Sequence, residues 1–146
     1  MRALFAAAFL MTSVAAQAQS PSPVGVWQSI DDETGRPTAL IRIAESGGTL
    51  SGRIEQLFRK PDEDQNPLCN ACTDARKGQP IRGMTIVQGL RPAADGDGWE
   101  GGEILDPANG KTYKSTLRLT DGGNKVVVRG YIGAPMFGRS QTWVRQ

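Results

Sequence analysis

The sequence contains no histidine. That absence excludes the Ser-His-Asp triad, the Cys-His dyad, every zinc site with an imidazole ligand and any histidine-based pH switch. Aromatic residues are scarce, at 6%, and cysteine is limited to Cys69 and Cys72. An excess of one charge is missing too: 17 Lys+Arg stand against 15 Asp+Glu, a net +2 dispersed along 146 residues. No basic stripe is available for a phosphate backbone, so neither nucleic acid nor a membrane is an expected partner. The longest apolar run, Ala3–Met11, has nine residues, against the ~20 that a spanning helix needs, and no transmembrane segment is expected.

What is present begins with an export signal. Arg2 precedes that apolar run, and Ala16-Gln17-Ala18 supplies the small-x-small pattern of signal peptidase, with cleavage expected before Gln19. Loss of residues 1–18 would leave 128 residues with a net charge of +1, because Arg2 is the one charge removed. No cysteine follows the apolar run before Cys69, so no lipid-bearing thiol is expected at the new amino terminus. Residues 19–23, polar and broken by proline, read as a mobile leader, and 24–146 as one domain, periplasmic or secreted.

The rest of the chain is a series of short β-type runs. Val24–Ile30, Thr38–Glu45, Thr49–Phe58, Ile81–Leu90, Trp99–Leu105, Lys111–Leu119, Lys125–Ile132 and Ser140–Arg145 have strand length and β-branched or aromatic content. Between them lie turn formers such as Glu33-Thr34-Gly35, Ser46-Gly47-Gly48, Asp95-Gly96-Asp97-Gly98, Pro107-Ala108-Asn109-Gly110 and Asp121-Gly122-Gly123. Eight hairpin-connected strands with glycines inside them, including Gly52, Gly102 and Gly130, predict an all-β, eight-stranded antiparallel up-and-down barrel, which removes unpaired edges. Alternation places Ile41, Ile43, Leu50, Ile54, Phe58, Met84, Ile86, Leu117, Leu119, Val126 and Val128 inside.

Val24-Gly25-Val26-Trp27 resembles the Gly-x-Trp that opens the first strand of lipocalins and other calycin barrels. There the tryptophan closes one end and meets an arginine of the last strand. The resemblance implies barrel closure by Trp27 with Arg139 or Arg145, and we assign it to Trp27 and Arg145. The lipocalin Thr-Asp-Tyr motif is absent. A broader set of blocks is similar to the exported bacterial family catalogued as domain of unknown function 2147. These include Asp31-Asp32-Glu33-Thr34-Gly35, Cys69-x-x-Cys72 leading to Pro80-Ile81-x-Gly83, Trp99-Glu100-Gly101-Gly102, Asn109-Gly110-Lys111-x-Tyr113, Val128-Arg129-Gly130-Tyr131 and Phe137-Gly138-Arg139-x-Gln141-x-Trp143. That resemblance implies export and a barrel-like fold, and brings no agreed activity.

Several groupings are candidates for chemistry. Phe58–Pro80 is a long connection without an obvious strand, and such loops are usually functional or disordered. Its Cys69 and Cys72 most simply form a local disulfide, worth about 2 kcal/mol by loop entropy. The alternatives are a redox dithiol assisted by Arg76 and Lys77, or a metal-binding thiolate pair, which lacks a second pair to complete a tetrahedron. Asp62-x-Asp64-x-Asn66 begins like a calcium loop, but Pro67 and Thr73 break the pattern. Glu100, Glu103 and Asp106 do not share a face as a hydrolytic carboxylate pair would require.

Arg129 and Tyr131 share one face of their run, and Arg139, Gln141, Trp143 and Arg145 share one face of the last. If the two faces coincide, Arg129, Tyr131, Arg139, Gln141 and Trp143 form a site for a small anionic or glycan-like ligand or an envelope component. The competing reading is arginine stems packed across aromatic rings. Ala134-Pro135-Met136-Phe137 is an apolar loop suited to a lid, a docking tip or a plug. No catalytic residue, metal site or cofactor is assigned. The expected function is a non-enzymatic periplasmic ligand binder or envelope accessory. The alternatives are a filled-barrel interaction module and a thiol-redox factor.

Overall fold

The computed structural model describes residues 21–146, and the expected export segment lies outside the described residues. Eight strands follow in order: β1 Gly25–Ile30, β2 Pro37–Ser46, β3 Thr49–Leu57, β4 Thr85–Pro92, β5 Trp99–Asp106, β6 Lys111–Thr120, β7 Lys125–Tyr131 and β8 Gly138–Arg145. Each pairs antiparallel with its neighbours, and β8 returns to β1 in a closed barrel. The up-and-down barrel expected from the sequence is thus the architecture. Strand β4 begins at Thr85 rather than Ile81, because the Met84 N–H donates to the Ile81 carbonyl at 3.1 Å in a turn that has Gly83 at φ +87°.

Alternation of β-branched and polar residues gives each strand an apolar face, and the barrel folds those faces inward. Ile41, Ile43, Leu50, Ile54, Met84, Ile86, Leu117, Val126 and Val128 are buried as expected, and Leu119 is partly so. Phe58 departs from this pattern and is 39% exposed. In the β2–β3 ladder Leu40 pairs with Gln56 but Ile41 with Ile54, leaving Glu55 as an extra residue. That bulge reverses the alternation, so Leu57 opposite Ala39 takes the inward position expected of Phe58.

One end of the barrel is sealed by residues from both ends of the described chain. Trp27 is fully buried, and its indole N–H donates to the Pro23 carbonyl at 2.8 Å. The Arg145 guanidinium lies 4.3 Å from the Trp27 ring centroid. It donates to the carbonyls of Gly123 at 2.8 Å, Val24 at 3.2 Å and Ser22 at 2.6 Å. Pro21–Pro23, expected within a mobile leader, therefore lie across this end, with Pro23 buried. Of the two arginines suggested for closure, Arg145 performs it; Arg139 is at the opposite end of β8. The β1–β8 seam is short, with the three pairs Trp27↔Arg145, Gln28↔Val144 and Ser29↔Trp143, whereas β7 and β8 pair over seven positions.

Replacing Arg145 with alanine removes the ring contact and three charge-assisted hydrogen bonds together. The expected loss is about 2–3 kcal/mol in urea unfolding. Arg145→Lys should recover under half of it, since an ammonium does not span three carbonyls as a guanidinium fork does.

Candidate ligand-binding site

The β1–β2, β3–β4, β5–β6 and β7–β8 connections all lie at the end opposite the Trp27 seal. Beneath them the barrel encloses a cavity of about 700 Å³. Its apolar wall is formed by Ile41, Ile54, Leu57, Ile86, Ile104 and Val128, with Phe58 and Ile81 from the long connection. Trp143, 1% exposed, lines its deep end and pairs across the sheet with Val126 of the solid core. Gly130 helps keep the space open: a Cβ there would lie 3.2 Å from Ile104 Cγ2 and 3.4 Å from Tyr113 Cβ.

Polar groups along the wall satisfy one another. Ser29 Oγ and Thr38 Oγ1 are 2.6 Å apart, the Trp143 indole N–H donates to Gln141 Oε1 at 3.2 Å, and the Asn109 amide donates to the Tyr113 hydroxyl at 3.0 Å. The wall therefore asks for no polar partner deep inside. The charged groups at the cavity are less well satisfied. Arg59 Nη2 is 3.3 Å from Glu63 Oε2, but its buried Nε has no hydrogen-bond partner. Arg139, with its side chain 87% exposed, is 3.9 Å from Asp32. Asp106 also lines the cavity, and its Oδ1 is engaged by the Ala108 N–H at 2.9 Å.

The pairing register decides where the expected site residues go. Val128 pairs with Gln141 and Gly130 with Arg139, which puts Arg139, Gln141 and Trp143 on the inner face, one above another along β8. All three line the cavity. Arg129 and Tyr131 belong to the alternate face, so the two faces do not coincide. Tyr131, at the end of β7, still reaches the cavity lining, whereas Arg129 lies outside and donates to the Pro135 carbonyl at 2.7 Å and Ser140 Oγ at 2.9 Å. Arg59, Ser29, Thr38 and Tyr113 were not singled out from the sequence. For Ser29 and Tyr113 the signal was inward alternation; for Arg59 it was masked by the bulge at Glu55 and by its place in an irregular segment, and Thr38, next to the inward Ala39, carried none.

The long β3–β4 connection packs on the outside of this mouth. Cys69 and Cys72 are disulfide-bonded and 0% and 1% exposed. The disulfide turn docks on the β5–β6 turn at Gly110, where φ is +72° and a Cβ would lie 1.8 Å from the Ala71 carbonyl oxygen. A second tie is Arg76, whose Nη2 bonds Asp74 Oδ2 at 2.6 Å while Nη1 donates to the Thr85 carbonyl of β4 at 3.0 Å. The Arg76 side chain and then its backbone N–H hold the Asp74 carboxyl well below the usual range, at about 2. A shallow groove of about 620 Å³ runs beside this tie, outside the barrel and open to solvent. The interior cavity is the better site, because it is set between the strands and more enclosed than the groove, so a molecule there loses more of its contact with water.

An antiparallel eight-stranded barrel, solid and sealed at one end by a Trp–Arg stack and hollow at the other, defines a calycin-like protein. The chain belongs to the DUF2147 family, described as uncharacterized proteins conserved in bacteria, which it matches over residues 25–145. Among solved structures it is similar to HP1028 from the human pathogen Helicobacter pylori, a protein described as belonging to the lipocalin family. The TM-score is 0.69 at 14% identity, over 86% of this chain and 84% of that one. At such identity the likeness concerns the fold alone. No curated protein matches the sequence.

The Asp74 carboxyl is depressed in the folded state, so its contribution is complete above the ordinary carboxylate value near ~3.9 and is lost as pH falls toward about 2. The Arg76 tie should loosen in that window. Reduction of Cys69–Cys72 by a phosphine, expressed as a ratio to an unstructured Cys-x-x-Cys peptide at the same pH, should rise between about pH 4 and pH 2. In Asp74→Asn that ratio should already be high at pH 5 and flat through the window.

Proposed function

We propose that this protein binds a small, largely apolar ligand with an anionic end, without catalysis, and that it works in the periplasm. The observation that carries the reading is the one-ended cavity of about 700 Å³, apolar along its wall, with Arg59 and Arg139 as its cations beside Glu63 and Asp106. Its size falls within the ~300–1,000 Å³ typical of small-molecule sites. Arg59 Nε, buried without a partner, leaves a donor that a carboxylate or phosphate oxygen would satisfy. The signal-peptide pattern at Ala16-Gln17-Ala18 supports the periplasmic setting. A filled-barrel interaction module is less favoured, since side chains fill the end around Trp27 and leave the other half hollow. Thiol exchange is disfavoured by burial of both bridged cysteines, because attack requires access to sulfur.

Ala39, 6% exposed and on the cavity wall, is the position from which to block the site. In Ala39→Phe the affinity for a fluorescent long-chain carboxylic acid should fall about tenfold or more, ~1.4 kcal/mol, with the thermal transition nearly unchanged. Arg59→Ala should weaken the acid and leave the matching alcohol unaffected. A wild-type protein that holds no such probe, or an Ala39→Phe variant that binds as well as wild type, would refute the reading.

A further inference from the structure

The β7–β8 connection holds three of the most exposed large apolar side chains: Ile132 at 63%, Met136 at 76% and Phe137 at 72%. Ile132 and Phe137 border the cavity mouth yet keep most of their surface in water, and Met136 lies outside it. A 3-10 turn over Pro135–Phe137, closed by the Phe137 N–H to the Ala134 carbonyl at 3.0 Å, fixes the tip. Arg129, donating to the Pro135 carbonyl at 2.7 Å, clamps it from the strand behind. The water-facing position of these side chains is therefore built into the hairpin.

Along the chain the tip is flanked by cations alone. From Gly122 to Gln146 the sequence has four cations, Lys125, Arg129, Arg139 and Arg145, and no Asp or Glu. Arg129 and Arg139 are the two nearest the tip. Among the described residues Arg129 has no ion-pair partner, and Arg139 has only Asp32 at 3.9 Å. The cations are thus segregated on the β7–β8 hairpin and not over the whole mouth, since the β1–β2 turn beside it carries Asp31, Asp32 and Glu33.

We propose that the β7–β8 tip is a membrane-docking lip that seats the open end of the barrel on an anionic bilayer surface. Met136, Phe137 and Ile132 enter the acyl boundary, and Arg129 and Arg139 meet lipid phosphates. Shape favours a bilayer over a protein. Three side chains on a projecting hairpin fall far short of the ~800 Å² per partner that a stable protein interface buries, whereas lipid surrounds a projection on every side. Ile132 and Phe137 also line the cavity, so the lip is continuous with the apolar interior and gives an acyl chain a path without a water gap. The docking itself does not depend on the ligand proposed above; only the use of that path does.

Met136 is exposed and outside the cavity lining, so it separates docking from binding. Cosedimentation with vesicles of phosphatidylethanolamine and phosphatidylglycerol, compared with phosphatidylcholine alone, reads the docking. Wild type should partition onto the anionic vesicles, less so at high salt; Met136→Asp should lower partitioning about tenfold and Met136→Trp should raise it. Arg139→Gln should cost about fivefold on anionic vesicles and little on phosphatidylcholine. Probe binding in vesicle-free solution should be the same in wild type and Met136→Asp. The proposal is overturned if wild type stays in the supernatant with anionic vesicles, or if Met136→Asp partitions equally. It is also overturned if sedimentation velocity shows a dimer that Met136→Asp dissolves while vesicles are ignored. Vesicle binding without probe binding would leave the docking standing and remove the cavity reading.

Discussion

The stack of Arg145 on Trp27 is the contact on which the rest of the molecule is built. It joins the first strand to the last, draws Pro21–Val24 over the barrel end through the Ser22 and Val24 carbonyls, and ties in the β6–β7 turn through that of Gly123. Strand pairing alone ties β1 to β8 over three positions, so the side-chain clasp does much of the work of closure. With that end filled by Trp27, Leu50, Leu90, Leu117 and Val126, the other half of the barrel is free to be hollow. Stability and cavity are thus segregated along the barrel axis, an arrangement that eases the usual conflict between a tight core and an open site.

The rigidity of the mouth has a separate origin. Asp31 Oδ1 accepts the N–H groups of Thr34 at 2.8 Å and Glu33 at 2.9 Å, which lowers its pKa and locks the β1–β2 turn. The disulfide turn is seated against Gly110, and Arg76 pins the same connection to β4. Local polar bonds and one covalent bridge do here what hydrophobic packing does at the sealed end. Irregular segments have few buried apolar contacts to hold them, so they depend on such devices.

Much of this was legible in the sequence because period-two alternation and turn chemistry are local properties. Gly25-x-Trp27 and the terminal Arg145 were readable as a closing pair, and Cys69-x-x-Cys72 as a bridge. The side of the sheet taken by Arg129 was not, because inside one strand alternation fixes only relative faces, and the absolute face depends on the register with β8. Phe58 was expected in the strand's inner row, but a bulge whose extra residue, Glu55, carries no distinguishing composition gives that place to Leu57 and leaves Phe58 at the cavity rim. The cavity was not legible either. Hollowness is a difference between the volume the strands enclose and the volume their side chains fill, and small residues such as Gly130 and Ala39 reveal it only once their neighbours in space are known.

The short seam between β1 and β8 has a mechanical meaning. After Ile30 the first strand turns away, and the part of β8 that carries Arg139 and Gln141 keeps β7 as its one neighbour. A hoop interrupted at one place resists inward collapse yet yields outward, so the cup has a split rim.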